Sequence, residues 1–305
     1  MSKISWHIEP TSKCILECPL CDRTWFYKKF KKRKLHEINI DHLLNFFNGQ
    51  SYIIHFCGNN GDPIYHSEFH KLCQRLKETN CTINITTNGS KKSAEWWEQL
   101  GSILTIEDKI KFSIDGLQDT NKIYRINSDW DSIMQGFKIM KKHQIKTVWK
   151  FIVFKHNQHQ IEEAKKLSKE LGFDQFQLEK SDRWLDKKEL MPNKKYVDDY
   201  YKHQSKVLTN TKYQVDIKPK CLQNNLPSRE LYIDAEGNFY PCCWIGTYRY
   251  KYKSLFSPKF KRFNIKNTTL TKILEDKDVI DFFNSTKQFT SAHECCKIQC
   301  GVSNG

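Results

Sequence analysis

Three thiols near the amino terminus, Cys14, Cys18 and Cys21, stand at C-x3-C-x2-C spacing in Cys14-Ile15-Leu16-Glu17-Cys18-Pro19-Leu20-Cys21. Pro19 keeps this stretch from forming a regular helix, and a short loop can turn all three sulfurs, as thiolates, toward one point. Structural zinc sites and ordinary iron–sulfur clusters use four protein ligands. Three cysteines therefore imply an iron left open to another molecule. The alternative is a zinc knuckle that borrows a distant fourth ligand.

The elements that must position such a site follow from the hydrophobic pattern. Trp6 to Glu9 alternates as a first strand and delivers the chain into the cysteine loop. Tyr52 to Phe56 is a second strand, ending in Cys57-Gly58-Asn59-Asn60-Gly61-Asp62-Pro63. Glycines just past a strand let the backbone approach a ligand, and a carboxylate there can pair with an ammonium group. Thr82 to Thr86 is a third strand followed by Thr87-Asn88-Gly89, and Ile110-Lys111-Phe112-Ser113-Ile114-Asp115-Gly116 is a fourth with the same kind of ending. Thr147 to Phe154 and Phe173 to Glu179 supply the fifth and sixth.

Helices are expected between these strands. One is entered at Asp41; another is capped by Ser67, with Phe69, Leu72, Cys73 and Leu76 on one face. Others run from Ser93 to Leu100, from Asp129 or Asp131 through Ile133, Phe137 and Met140, and from Gln158 to Leu171, closed by Gly172. Six strands alternating with helices predict an α/β fold, a parallel sheet wrapped by right-handed crossovers into a barrel or part of one. Its motifs fall at the carboxyl edge, where parallel α/β proteins place their sites.

The cysteine spacing resembles the signature of the radical S-adenosylmethionine (radical SAM) superfamily. The resemblance implies that Cys14, Cys18 and Cys21 hold a [4Fe-4S] cluster whose fourth iron is chelated by S-adenosylmethionine (SAM). It implies reductive cleavage of SAM to a 5'-deoxyadenosyl radical that takes hydrogen from a substrate. Gly61-Asp62-Pro63 resembles the end of the family's Gly-Gly-Glu-Pro motif, with Asp for Glu and Asn60 for a Gly. Ser113-Ile114-Asp115-Gly116 resembles its strand-four motif, and Arg125 falls where a downstream arginine binds the SAM carboxylate. Gly61, Asp62, Ser113 and Arg125 are thereby implied to hold SAM, with Leu20 near the adenine. The family's partial (β/α)6 TIM-type barrel is implied for the core.

After Lys180 the composition shifts to a polar, Lys-rich bridge over 181–220. Leu231 to Tyr240 reads as a β-hairpin around Gly237 that carries Cys242 toward Cys221, and Cys295, Cys296 and Cys300 read as a compact ligand turn. The pattern Cys221-x15-Gly237-x4-Cys242 with Cys296-x3-Cys300 resembles the SPASM or twitch extension of radical SAM enzymes. It implies a small C-terminal α+β domain with one auxiliary [4Fe-4S] cluster on Cys221, Cys242, Cys296 and Cys300; Cys243 and Cys295 stand as substitutes for their neighbours. The expected organisation is a core over 1–180, a bridge over 181–220 and an iron–sulfur domain over 221–305. A zinc ribbon on the same thiols is the alternative.

The bounds agree. In 305 residues, Lys+Arg total 50 against 35 Asp+Glu, a net charge of +15 that favours acidic or polyanionic partners. Twelve cysteines bunched at the two ends suit metal sites better than a disulfide framework. The opening Met1-Ser2-Lys3-Ile4-Ser5-Trp6 has no apolar signal region and no run reaches membrane-spanning length, so a cytoplasmic protein without membrane association is expected. The segment before Trp6 is too short for a peptide-recognition domain. Enzymes with this extension mostly modify peptides or proteins, which is the expected substrate class, with a donor such as flavodoxin or ferredoxin supplying electrons. A nucleic-acid or nucleotide substrate is the alternative, on the charge and on Tyr248-Arg249-Tyr250-Lys251-Tyr252-Lys253 and Lys259-Phe260-Lys261-Arg262-Phe263. An aromatic core face with a wet lysine face is the plainer reading of those stretches. Lys28 to Lys34 reads as a solvated loop or a contact for acidic groups. From another class altogether comes a non-catalytic zinc protein that binds nucleic acid. No motif marks a catalytic acid or base, with Asp182 and Asp234 only candidates.

Overall fold

The computed structural model describes residues 4–31, 35–180, 187–197, 216–219, 221–223, 226–227, 231–247 and 261–302. Asp182, most of the bridge, and Tyr248-Lys253 with Lys259-Phe260 lie outside the described residues, as do Lys32 to Lys34. The chain forms two compact units, one of residues 9–37 and 53–197, the other of residues 1–8, 38–52 and 198–305.

In chain order the elements begin with β1 (Ser5–Ile8), α1 (Asp22–Phe30), α2 (Ile40–Phe47), β2 (Ile53–Phe56), α3 (Phe69–Lys77) and β3 (Thr82–Thr87). They continue with α4 (Ala94–Ile103), β4 (Lys109–Ser113), α5 (Asn121–Tyr124), α6 (Trp130–Lys142), β5 (Lys146–Ile152), α7 (Ile161–Leu171) and β6 (Gln175–Glu179). Short strands β7 (Asp216–Ile217), β8 (Leu222–Gln223), β9 (Leu226–Pro227), β10 (Leu231–Ile233) and β11 (Phe239–Tyr240) follow. Helices α8 (Leu270–Glu275), α9 (Lys277–Ser285) and α10 (Glu294–Cys300) and strand β12 (Gly301–Val302) end the described chain.

In the first unit β2 to β6 pair in parallel in sequence order. One face is apolar and packs on helices: Phe112 meets the rings of Trp97 and Phe137, and Trp149 those of Trp130 and Phe173. The other face carries half-buried polar side chains, among them His55, Asn84, Thr86, Lys111, Lys150 and Gln177. This alternation is the period-two signal that made the strands readable.

A buried charge fixes the lower edge of the sheet. The fully buried Asp108 accepts from Ile83 N at 2.6 Å, Thr105 N at 2.7 Å and Lys77 Nζ at 2.9 Å. These bonds tie α3, β3 and the approach to β4 together.

Local caps differ in part from the expected ones. Ser93 and Asp129 cap α4 and α6 as read. Helix α2 is capped by Asn39, whose side chain accepts from His42 N, so Asp41 falls in its first turn. Ser67 does not cap α3; its hydroxyl donates to Glu37 Oε2 at 2.9 Å, and Glu68 holds the N-cap position. Gly172 at φ +92° closes α7 as read, with a 3-10 turn, Gln158–Gln160, before it.

In the second unit β1 pairs in parallel with β10, which pairs antiparallel with β11 in the expected hairpin. Trp6 is fully buried against Phe46, Phe47, Tyr52 and Phe239. Asp234 proves structural: its carboxylate accepts from Glu236 N, Asn238 N and Tyr240 Oη and shapes the hairpin turn. Phe263 is buried and Arg262 pairs with Asp278. The expected cysteine turn is instead the helix α10, capped by the side chain of His293.

Removing one partner from a buried ion pair strands the other charge. Asp108→Ala is expected to lower unfolding free energy by about 3–5 kcal/mol, read by urea denaturation; a loss below about 1 kcal/mol would contradict the anchoring role.

Candidate active site

Residues 13–20 form no helix, and each thiol is fixed separately. Cys14 Sγ accepts from Leu16 N at 3.4 Å and from Asn88 Nδ2 at 3.7 Å. Cys21 N donates to Cys18 O at 3.1 Å, and Cys21 O receives Trp25 N as α1 begins. Arg23 reaches back to donate to Leu16 O, and Glu17 N bonds Ile126 O. The loop is thus tied to itself and to the segment after α5.

All three cysteines line one cavity of about 200 Å³ at the carboxyl ends of the parallel strands. Gly61, Asp62, Ser113 and Arg125 line it too, so the sequence-predicted residues from four separate segments meet there. Leu20 is not in the wall; it packs against the buried cluster of Leu16, Cys18, Tyr124 and Phe154. Cys57 also lines the cavity. Burial pushes the Cys14 thiol up to about 12, and the charge of Asp62 adds to it. Cys18 is likewise pushed up to about 12 by burial, against the opposing pull of Arg125.

The β2 end is held by two carboxylates. Glu9 Oε1 accepts from Asn60 N at 2.6 Å and Gly61 N at 2.7 Å. Asp62 is buried, and its oxygens accept from Ile64 N at 3.3 Å, Thr87 Oγ1 at 2.7 Å, Asn88 N at 2.6 Å and Asn88 Nδ2 at 2.6 Å. A carboxylate has about four lone-pair sites, and here the protein takes them all. Burial raises the Asp62 pKa despite these donors. Gly61 lies so close to the cysteine loop that a Cβ would stand 1.8 Å from Thr11 O.

The strand-four motif works through a pair. Arg125 Nε stands 2.8 Å from Oδ2 of the fully buried Asp115, whose Oδ1 accepts from Ile152 N at 2.7 Å. Arg125 is thus buried, with its charge set against that of Asp115. Glu9, Arg23, Asn88 and Asp115 were not among the site residues expected from the sequence. Asn88 and Asp115 sit inside the strand-end motifs, which was the available signal; Glu9 and Arg23 carry none.

A second thiol group lies in the other unit. Burial raises Cys221, and Cys242 and Cys300 raise it further; burial raises Cys296, followed by Cys242, Cys221 and Cys300. Cys221 and Cys296 thus each feel Cys242 and Cys300. Cys295 is raised by burial and then by Cys242, Cys296, Cys300 and Cys243.

The family profile described as Radical SAM superfamily matches residues 8–168, more than half of the 305-residue chain. The chain belongs to the radical SAM superfamily. Residues 221–301 match a SPASM iron-sulfur cluster-binding domain. Pre-heme d1 synthase of Dinoroseobacter shibae is 25% identical over 119 residues, which span 39% of this chain and 29% of that protein. The structure of anSMEcpe with bound AdoMet aligns at TM-score 0.59 and 15% identity, over 96% of this chain and 88% of that one. SuiB of Streptococcus suis bound to precursor peptide SuiA aligns at TM-score 0.62 and 14% identity, over 97% and 70%. At these identities the likeness is one of fold, the partial (β/α)6 barrel read from the sequence.

The radical SAM cofactors fit the cavity. Its three family-signature cysteines are free thiols, and the buried Asn60 Oδ1 in its wall has no hydrogen-bond partner among the described residues. Among those residues no three His, Cys, Asp or Glu side chains gather closely enough for a single metal ion. The sulfurs border a shared space, which accords with a multi-iron body in which each thiolate takes its own iron.

Because backbone blocks the space beside Gly61, Gly61→Ala is expected to cost about 1–3 kcal/mol of stability and to weaken SAM binding. Thermal unfolding and equilibrium dialysis read the two; parent-like values in both would contradict the close packing of this loop on Thr11.

Proposed function

We propose that this radical SAM protein reductively cleaves SAM and abstracts hydrogen from a peptide or protein. What carries the reading is the convergence of Cys14, Cys18 and Cys21 with Asn60, Ser113 and Arg125 on one cavity. When bound, a [4Fe-4S] cluster with SAM on its open iron supplies a sulfonium that reduction splits to a hydrogen-abstracting carbon radical.

In this reading Cys14, Cys18 and Cys21 ligate the catalytic cluster. Asn60 Oδ1 accepts from the methionine ammonium, while the Asp62 carboxylate, saturated by Thr87 and Asn88, supplies negative potential behind it and orients Asn88. Gly61 keeps the backbone close, the Ser113 hydroxyl contacts SAM, and Arg125, aimed by Asp115, takes the carboxylate. Leu20 and the Leu16–Tyr124–Phe154 cluster keep water from the adenine side. Cys221, Cys242, Cys296 and Cys300 hold one auxiliary [4Fe-4S] cluster. Domain limits of 1–180, 181–220 and 221–305 suit these assignments, as do a cytoplasmic location and an electron donor of the flavodoxin or ferredoxin kind. The peptide complexes of SuiB and of anSMEcpe support the substrate class.

Anaerobically reconstituted protein is expected to be brown, with iron and sulfide, and to form 5'-deoxyadenosine from SAM under a strong reductant. A colourless protein with stoichiometric zinc and no SAM binding would contradict the proposal. Cys18→Ala is expected to abolish SAM cleavage, whereas Cys296→Ala leaves part of it; 5'-deoxyadenosine from the Cys18 variant would count against the ligand assignment.

A further inference from the structure

The polar face of the sheet does not stop at the cavity. Phe112, Trp149 and Phe176 turn their rings to the helix-packed side. Side chains alternate along a strand, so Lys111 and Ser113 of β4, Lys150 and Ile152 of β5, and Gln177 and Glu179 of β6 point the other way. Ser113 and Ile152 line the cavity, and Lys111 and Lys150 stand two residues behind them, about 7 Å back along the strands. Register sets these groups side by side: Thr86 opposite Lys111, Ser113 opposite Lys150, Lys150 opposite Gln177.

Among the described residues the charge on this face is unbalanced. Strands β4 to β6 present Lys109, Lys111, Lys146 and Lys150 against the single carboxylate of Glu179. Glu179 stands 3.9 Å from Lys150 Nζ and is also bonded by Gln177. Lys111 has no ion pair or hydrogen bond among the described residues, although it is half-buried. Burial lowers its pKa, and Lys150 and Lys109 push the same way, with Glu179 and Cys57 opposing. A lysine that loses hydration without a partner is retained at a cost that a bound anion would offset.

The chemistry of the face also narrows the anion's carrier. On β2 to β6 the face holds no Phe, Tyr or Trp, leaving the single imidazole of His55 as its only ring for a nucleobase to stack on. Asn84, Thr86 and Gln177 instead offer hydrogen bonds of the kind peptide amides use. We propose that Lys111 and Lys150 form the substrate-anchoring subsite and take the carboxylate of an acidic residue in a peptide substrate. This rests on reading the adjoining cavity as the SAM site.

The test is equilibrium dialysis of the cluster- and SAM-loaded full chain against three probes. They are a pool of peptides rich in Asp and Glu, a matched pool with Asn and Gln in their place, and oligouridylate. The acidic pool is expected to be retained about tenfold better than the amide pool, the scale of one charged hydrogen-bonded pair. Lys111→Gln with Lys150→Gln should erase that preference and Lys111→Arg with Lys150→Arg should keep it, thermal unfolding confirming that each variant folds. Equal retention of the two peptide pools, a preference that survives in the glutamine variant, or preferential retention of oligouridylate would each overturn the inference. Retention reports anion choice, while 5'-deoxyadenosine formation without substrate reports the SAM reading, so failure of either is separately visible.

Discussion

The buried carboxylate of Asp62 is the constraint on which the candidate site depends. Placing a charge there is costly unless donors surround it. Thr87 Oγ1, Asn88 N and Asn88 Nδ2 all lie within 2.7 Å, so the ends of β2 and β3 are joined through one side chain. The same network turns Asn88 toward Cys14, and Asp62 N bonds Lys13 O at the entrance of the cysteine loop. Glu9 does parallel work from the end of β1, gathering Asn60 N and Gly61 N. The loop after β2 is in this way fixed from both sides before any ligand is bound.

Much of this was legible in the chain. Period-two alternation located the parallel strands, and Gly61, Asp62 and Ser113 at strand ends, with Arg125 after α5, put one site at the carboxyl edge. What the sequence left hidden is long-range. Glu9 meets Gly61 across more than fifty residues, a contact that no local pattern encodes. The pairing of Arg125 with Asp115 also escaped the sequence, because the two become neighbours only when the chain turns after β4. Ser67 had the composition of a helix cap and was drawn instead to Glu37. The cysteines at 295–300 read as a turn because their thiols suggested ligation, whereas the backbone carries them on a helix, with Cys296 and Cys300 one turn apart on one face.

The two cysteine groups belong to separate compact units and are built differently. The first spreads its thiols on a loop around a cavity that polar strand ends complete. The second brings Cys242 and Cys300 within electrostatic reach of both Cys221 and Cys296.

The central claim is that one iron at Cys14, Cys18 and Cys21 is left for SAM. Electron paramagnetic resonance of the reduced, reconstituted protein tests it most directly, recorded before and after adding SAM in a Cys221→Ala/Cys242→Ala variant, which isolates the amino-terminal cluster. The expected result is a cluster signal whose g-values shift when SAM is added. No cluster signal, or one that SAM leaves unchanged, would contradict it.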